Sequence, residues 1–275
     1  MEKLMRAHRW KGQPSKYFGP HCSIAPRLTE AFTLICADLR GYGRSGCPGS
    51  DTDHCAYSKR AVANDMVLIM RQLRYERFGV AGHDRGARVA YRIAFDHAGV
   101  VQKVAVLDAM PTSTVWDRAD ARLALAFWPW SLLAQPEPLP ERLLRAAPEA
   151  IVNNALNEWG SPPNAFEDTR ASYIAALNDA KHIHAICEEY RAAATIDRAH
   201  HAEDQAAGER IACPVLILWS VRGGLEHWYL EASGPLTLWR EWSDQVSGRA
   251  ICGGHFFPEE NPKETTNESL QFFLR

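Results

Sequence analysis

The sequence predicts an α/β protein with a mostly parallel sheet, and two features of the 275-residue chain carry this prediction. Short apolar segments alternate with segments of helical period, which is the pattern of repeated β-α-β units. A long stretch without strand-like runs separates the first part of this pattern from the second. We therefore expect one sheet with helices on both faces, interrupted by an inserted helical segment.

Five apolar segments are the candidate strands. The first three are followed by Asp38, Asp84 and Asp108, and His255 follows the last. Ligands of parallel sheets bind beyond the carboxyl ends of the strands, so these four side chains are expected at a functional edge. The segments are Phe32–Ala37, Phe78–Ala81, Val104–Leu107, Pro214–Trp219 and Arg249–Cys252.

Segments of helical period connect the first strands. Ser58 is suited to cap the helix that precedes the second strand. After Asp84, an apolar face is formed by Val89, Ile93 and Ala94. The helix after Ser58 has one apolar face, made of Val62, Met66, Ile69, Met70 and Leu73.

The pattern also predicts how the chain is divided. From residue 111 onward strand-like runs are missing, and helical stretches such as KHIHAICEEYRAAATI dominate. We expect residues 1–110 to form the first part of the core, residues 111–208 a helical lid, and residues 209–275 the second part of the core. A lid in this position would cover the strand ends.

Composition and charge argue against several classes of function. The formal net charge is −2, which gives no reason to expect nucleic acid or a membrane surface as a partner. No apolar run approaches the ~20 residues needed to span a bilayer, and no secretory signal is visible. The seven cysteines are scattered without CxxC spacing, so we expect reduced thiols in a cytoplasmic protein and no metal site.

The stretch VAGHDRGARVAY, residues 80–91, is typical of a strand, a tight turn and the start of a helix. Many hydrolases present a serine or cysteine nucleophile on such a turn, but here the central residue is Asp84. A carboxylate there is suited to attack a saturated carbon that carries a leaving group, which leaves an ester on the aspartate. An aspartate at a helix start is more often only a cap; the flanking Gly82 and Gly86 favour the nucleophile.

An aspartyl ester needs a base that drives water onto it. His255, in the loop GGHFFPEE, is the candidate base, and Asp108 would orient its ring and stabilise the imidazolium. Three alternatives remain open at this point. His255 can be only a turn residue, Asp108 can serve only backbone amides, or the acid can be Glu226 or Glu231.

Two arginines stand beside the candidate nucleophile. Arg85 and Arg88 are three residues apart and therefore lie on one side of the helix start. A solvated basic face would explain them equally well if they stood alone. Next to a nucleophilic carboxylate they are better explained as a fork for a small carboxylic acid, so the sequence favours a substrate that is itself a carboxylate.

Five motifs together resemble the haloacetate dehalogenases, the fluoroacetate dehalogenase branch of the α/β-hydrolase fold. They are GHDRGARVAYRIAFDH, VLDAMPT, WSLLAQPEPLPERLL, CEEYRAAA and GGHFFPEENP, and they extend from about residue 31 to the C-terminus. The resemblance implies a mostly parallel sheet with an inserted helical lid. It also implies hydrolysis of a 2-haloacid, haloacetate to glycolate and halide, without a cofactor and by a homodimer.

The resemblance implies roles for particular residues. Asp84, His255 and Asp108 would act as nucleophile, base and orienting acid. Trp130 and Tyr190 would donate hydrogen bonds to the departing halide, although composition alone would place both among core aromatics. The residues implied to bind the substrate are Arg85, Arg88, Trp130 and Tyr190.

Three features depart from the family's pattern. Pro129 stands where the family has a halide-binding histidine, and its side chain has no donor. The fourth strand ends in Trp219-Ser220 where Trp-Gly is usual, and the loop after it is longer. Family members begin with two strands and a third that ends in a turn resembling His-Gly-Phe-Pro, but residues 1–30 contain no such segment. Either the N-terminal segment fills this gap in another way, or the gene product is truncated or altered.

Two other hypotheses stay open. Epoxide hydrolases use the same aspartyl-ester chemistry. That function would require lid tyrosines to protonate the oxygen of the opening epoxide, and an apolar residue in place of Arg85. The second hypothesis is a hydrolase-like protein that has lost catalytic activity because its N-terminal part is impaired. Halide release and cooperative thermal unfolding separate these readings.

Overall fold

The structure is a computed structural model, and it describes residues 7–9, 24–162 and 166–275. A four-stranded parallel sheet forms its centre, with the strands in the order β3-β4-β5-β6. Strands β4 and β5 are almost entirely apolar because both of their faces are buried, as is usual for parallel sheets. The four strands are β3 (Phe78–His83), β4 (Val101–Leu107), β5 (Val215–Ser220) and β6 (Val246–Ile251).

A separate two-stranded sheet is formed by segments that precede these four strands in the sequence. It pairs β1 (Ala7–Arg9) with β2 (Ile35–Ala37) in antiparallel orientation. The Phe32–Ala37 segment was expected to contribute to the parallel sheet, but within the described residues only its second half is a strand, and that strand pairs with β1. No strand of the described ranges lies between β2 and β3, which agrees with the missing third strand. Residues 1–6 and 10–23 of this N-terminal segment lie outside the described ranges, so the two alternatives stay open.

Within the described residues, three α-helices precede the inserted segment: α1 (Ala25–Leu28), α2 (Lys59–Gln72) and α3 (Arg85–Asp96). Ser58 caps α2 as predicted, because its Oγ accepts a hydrogen bond from the Ala61 N–H at 3.1 Å. The predicted apolar face of α2 is wrong at its end: Leu73 is 42% exposed, whereas Val67 is buried. The helix ends at Gln72, so Leu73 lies past the last turn that packs on the core. The predicted buried face of α3 is observed.

The segment from residue 112 to residue 206 contains eight helices and, in its described part, no strand. Its helices α10 and α11 pack against each other, and α10 also contacts α6 and α7. The eight helices are α4 (Thr112–Asp117), α5 (Ala121–Ala126), α6 (Trp128–Leu133), α7 (Leu139–Ala146), α8 (Pro148–Glu158), α9 (Glu167–Ala176), α10 (Ala180–Ala194) and α11 (Ile196–Ala206).

Four α-helices follow β5 in the C-terminal part. They are α12 (Leu225–Trp228), α13 (Pro235–Trp239), α14 (Phe257–Glu260) and α15 (Pro262–Leu274). Helix α15 packs close to β3, because an added Cβ at Gly79 would lie 2.8 Å from the Phe273 ring. None of the helices in the described ranges has the length and apolar character needed to cross a membrane. The cysteines of the same ranges are free thiols.

Candidate active site

The turn between β3 and α3 presents Asp84 at the carboxyl edge of the sheet. Its backbone angles are φ 49° and ψ −112°, a conformation that a residue other than glycine adopts only under strain. The turn is tight enough that a Cβ on Gly82 would lie 2.2 Å from the Gly86 backbone. The Asp84 N–H donates to the Leu107 carbonyl at 3.0 Å, so the strained turn is fixed to the neighbouring strand.

His255 lies between the two predicted partners. Its Nδ1–H donates to Asp108 Oδ2 at 2.6 Å, and its Nε2 is 3.9 Å from Asp84 Oδ2. Its backbone N–H donates to the Trp159 carbonyl at 2.8 Å. The structure therefore brings Asp84, His255 and Asp108 together in the order that the sequence predicts, with one ring nitrogen facing each carboxylate.

Asp108 follows β4 and also has a positive φ, of 48°. Its Oδ1 accepts the Ser220 N–H at 2.8 Å, and the Ser220 hydroxyl lies 3.1 Å from each carboxylate oxygen. Glu226 and Glu231, the alternative acids, make no hydrogen bond to His255 in the described structure, whereas Asp108 does. Of the candidate acids, Asp108 is thus the one with the contact needed to orient the imidazole.

Aromatic rings enclose the imidazole of His255, which is buried. The ring of His83 is 4.7 Å away, and the Trp159 ring meets it edge to face at 5.3 Å. Phe256 and Phe127 close two further sides, at 4.9 and 6.1 Å. Such a shell keeps bulk water from screening the two carboxylates, so their charges act on His255 in a medium of low polarity.

The surrounding charges shift the pKa values of His255 and Asp84 in opposite directions. Burial would lower the pKa of His255, but the hydrogen bond to Asp108 and the nearby Asp84 raise it to about 10. Burial would raise the pKa of Asp84, but His255, Arg85 and Arg88 together hold it well below its usual range. At neutral pH the free site therefore holds an ionised Asp84 opposite a protonated His255.

A small cavity opens in front of Asp84. It contains about 270 Å³ of space free of atoms, part of which is open to solvent. The Asp84 side chain is 34% exposed, which leaves its oxygens accessible. The cavity is lined by Lys59, Asp84, Arg85, Arg88, Trp130, Glu189, Tyr190 and Ala193.

The two arginines are not equivalent in the cavity wall. The guanidinium of Arg85 already donates to three groups: Nη2 to the Tyr190 hydroxyl at 2.7 Å, and Nη1 to Tyr42 and to Glu189, the latter at 3.2 Å. Arg88 uses only Nη1, which donates to the Met110 carbonyl at 2.9 Å. In the described part of the chain, Nε and Nη2 of Arg88 have no partner, so Arg88 retains more capacity for a ligand.

Two aromatic residues of the helical segment reach the cavity, as the resemblance implies. Trp130 packs over Arg88, with the guanidinium carbon 4.3 Å from the ring centroid, and its indole N–H has no partner within the described ranges. Burial is the main reason that the pKa of Tyr190 is raised to about 12, so its hydroxyl keeps its proton at neutral pH. Pro129, in the first turn of α6, is buried and is not part of the cavity wall.

Three contributors to the site were not predicted. Lys59 is buried, and its Nζ lies 3.2 Å from Glu189 and 3.4 Å from Asp197. Glu189 also contacts Arg85 and accepts the Tyr42 hydroxyl at 2.5 Å. Tyr42 lies shortly after Asp38 in the sequence, and Glu189 directly precedes Tyr190. Closeness in the sequence to these two candidate residues was the signal that could have indicated Tyr42 and Glu189. The described side chains form no cluster that could hold a metal ion.

The sequence profile of the alpha/beta hydrolase fold matches residues 15–262. The chain belongs to this family. It is 36% identical to a fluoroacetate dehalogenase from Burkholderia sp over 255 residues, which cover 90% of this chain and 81% of that protein. It is 29% identical to a soluble epoxide hydrolase from Corynebacterium sp. (strain C12) over 266 residues, 91% of this chain and 84% of that protein.

Solved structures of the same fold also resemble the chain. A protein from Nostoc sp PCC 7120, assigned as an alpha/beta hydrolase, superposes with a TM-score of 0.88 at 44% identity, covering 92% of this chain and 86% of that one. A protein from Pseudomonas aeruginosa, assigned as an epoxide hydrolase, superposes with a TM-score of 0.85 at 39% identity, covering 93% and 84%. The chain is therefore a hydrolase of this fold, with relatives of both dehalogenase and epoxide hydrolase name.

Proposed function

We propose that the protein hydrolyses small 2-haloacids to 2-hydroxyacids and halide through an ester on Asp84. The observation that carries this proposal is a small cavity in which an accessible carboxylate on a strained turn faces two guanidinium groups. An anionic nucleophile attacks an anionic substrate only if cations offset their repulsion, and Arg85 and Arg88 provide that charge. The similarity to a fluoroacetate dehalogenase supports the same substrate class.

In the first step, an oxygen of Asp84 attacks the carbon that carries the halogen, and the carbon–halogen bond breaks as the ester bond forms. Arg88 holds the substrate carboxylate with its unpartnered Nε and Nη2. The Trp130 N–H and the Tyr190 O–H donate to the halide as it gains negative charge. The halogen carries more negative charge in the transition state than in the bound substrate. These donors therefore lower the barrier more than they strengthen substrate binding.

In the second step, His255 acts as the base. Esterification removes the negative charge of Asp84, and with it one of the two carboxylates that favour the imidazolium. The pKa of His255 then falls, the ring releases its Nε2 proton to solvent, and Nε2 takes a proton from the water that attacks the ester carbonyl. The tetrahedral intermediate collapses, the bond between the Asp84 carbonyl carbon and the substrate-bound oxygen breaks, and the hydroxyacid leaves with the proton that His255 returns to that oxygen. The Arg85 backbone N–H, directly after the nucleophile, is placed to stabilise the oxyanion.

We also propose that residues 111–208 act as a lid, since they supply Trp130, Tyr190 and Glu189 to the cavity. No step of this chemistry calls for a cofactor. That the protein is cytoplasmic and that it forms a homodimer both remain predictions.

Epoxide hydrolysis is the second candidate. The similarity to epoxide hydrolases and a lid tyrosine in the cavity favour it. Tyr190 could protonate the oxygen of an opening epoxide. However, the cavity is lined by three cations, which suits an anionic substrate better than a neutral epoxide.

The test is product formation by purified protein. Chloro-, bromo- and fluoroacetate are assayed for halide release, and neutral epoxides for diol formation. We expect halide release that is lost in Asp84→Asn, with little diol. Diol formation without halide release would support the second candidate, and neither product from a cooperatively folded protein would indicate a silent hydrolase-like protein.

A further inference from the structure

Ser220 contacts Asp108, the orienting acid, through both its backbone and its side chain. It ends β5 and is fully buried. Its backbone N–H donates to Asp108 Oδ1 at 2.8 Å, a bond that glycine would also make. Its hydroxyl lies 3.1 Å from both Oδ1 and Oδ2, a contact that glycine cannot make.

The proton of this hydroxyl has one acceptor. Among the described residues the Ser220 hydroxyl contacts no polar group other than the carboxylate of Asp108, so it donates there. The loop after β5 closes over the pair: a Cβ on Gly223 would lie 1.9 Å from Ser220 Oγ and 3.1 Å from Asp108 Oδ2. This packing leaves no room for a water molecule to replace the hydroxyl.

We propose that Ser220 is a positioning residue that sets the basicity of His255 through Asp108. Asp108 Oδ2 accepts both the His255 Nδ1–H and the Ser220 hydroxyl. The serine donor stabilises part of the carboxylate's charge, so less of it stabilises the imidazolium, and His255 gives up its proton more readily. The inference rests on the proposed function in one respect: a more readily deprotonated His255 matters because it must act as a base on the Asp84 ester.

Other groups near His255 do not explain this effect. Asp84 loses its charge when the ester forms, so it cannot set basicity during hydrolysis. His83 stacks on the ring and bonds the His255 carbonyl through Nε2 at 2.7 Å. Glu259 is buried, which raises its pKa well above the usual value and favours its neutral form. The rings of Trp159, Phe256 and Phe127 that pack on His255 carry no charge, so Asp108, with its Ser220 donor, is the carboxylate that keeps its charge beside His255 through the ester stage.

The direct test measures the pKa of His255 by NMR of its isotope-labelled imidazole, in protein that carries Asp84→Asn. Asparagine is neutral, as the ester is, and it prevents turnover, so this measurement does not depend on the proposed function. In that background, Ser220→Ala should raise the pKa of His255 by roughly half to one pH unit. Ser220→Cys, with a weaker donor of similar size, should give a smaller rise. Ser243→Ala removes another fully buried serine hydroxyl, one bonded to the Ile211 carbonyl, and should give no shift.

A kinetic measurement then connects the pKa to the reaction. With chloroacetate and otherwise wild-type protein, Ser220→Ala should raise the pKa that limits kcat on the acidic side of its pH profile by the same amount. At pH values below this pKa, the kcat of the variant should be about three- to tenfold lower than that of wild type, with little change in KM. An unchanged or lowered pKa of His255 in both Ser220 variants would overturn the inference. A raised pKa together with no halide release by wild type would uphold the role of Ser220 and refute the dehalogenase proposal.

Discussion

Lys59→Met tests the ionic contact between the start of α2 and the inserted helical segment. The Lys59 side chain is 2% exposed, and its Nζ lies between Glu189 of α10 and Asp197 at the start of α11. Methionine keeps most of the volume of the side chain but removes its charge. The variant therefore isolates the electrostatic contribution of this buried cation.

The structure gives the expected magnitude. Asp197 would keep only the hydrogen bond from the Lys59 backbone N–H at 2.8 Å, whereas Glu189 would keep Arg85 and Tyr42. Removing one partner of a buried ion pair costs ~3–5 kcal/mol. Because only Asp197 is left without a cation, we expect the lower end, a decrease of about 3 kcal/mol in the free energy of unfolding at pH 8.

The same variant should show a characteristic pH dependence. Burial raises the pKa of Asp197 in the folded protein, although Lys59 opposes this rise. Without Lys59 the folded-state pKa rises further above the unfolded value, so the folded variant binds a proton that the unfolded chain does not. Stability of the variant relative to wild type should therefore recover as the pH falls through this pKa, and the deficit should be smaller at pH 5 than at pH 8.

Urea unfolding at both pH values, followed by circular dichroism, measures these differences. Lys263→Met changes an exposed lysine and serves as the matched control. Adding Asp197→Asn to Lys59→Met should restore part of the lost stability at pH 8. A loss below about 1 kcal/mol, equal at both pH values, would show that the ion pair contributes no more than a surface contact.

Further outcomes are expected in activity assays. Arg88→Leu should raise KM for chloroacetate more than Arg85→Leu, because both Nη atoms of Arg85 are already hydrogen-bonded whereas Nη2 of Arg88 is not; a charged hydrogen bond of ~1.5–3 kcal/mol corresponds to about 10- to 150-fold. Chloroacetamide should be a poor substrate, and equal turnover of amide and acid would exclude the carboxylate fork. Wild type should release chloride and bromide far faster than fluoride, because Pro129 gives no donor. Pro129→His should raise fluoride release selectively, by up to ~100-fold if the new donor reaches the halide. His255→Asn should accumulate an ester on Asp84 with chloroacetate, detected by peptide mass spectrometry; an unmodified Asp84 peptide would contradict the assigned base.

The sequence was sufficient to predict that three of the four side chains expected at the sheet edge meet there. Asp38 is the exception, because β2 before it pairs with β1 outside the parallel sheet, and its carboxylate accepts the Arg44 N–H at 3.1 Å. Asp84, Asp108 and His255 each follow an apolar strand, and parallel strands bring their carboxyl ends to one edge whatever their distance along the chain. The cap at Ser58 was predictable for a local reason, since its acceptor and donor are three residues apart. These predictions needed only short-range pattern and one topological rule.

The parts that escaped prediction depend on contacts between distant segments. Tyr42 and Glu189 are 147 residues apart, and nothing in either segment indicates that both contact Arg85. Lys59 follows a helix cap and would be expected at the surface, but two carboxylates from another part of the chain make its burial tolerable. The exposure of Leu73 follows from where α2 ends, which periodicity alone does not give.

A single turnover in ¹⁸O-labelled water, with enzyme in excess over chloroacetate, tests the Asp84 ester most directly. If water attacks the carbonyl carbon of an aspartyl ester, the glycolate of the first turnover takes its new oxygen from Asp84 and is unlabelled. The label then enters the Asp84 carboxylate, where peptide mass spectrometry detects it. Labelled glycolate in the first turnover, together with an unlabelled Asp84 peptide, would mean that water attacks the substrate directly and that Asp84 is not the nucleophile.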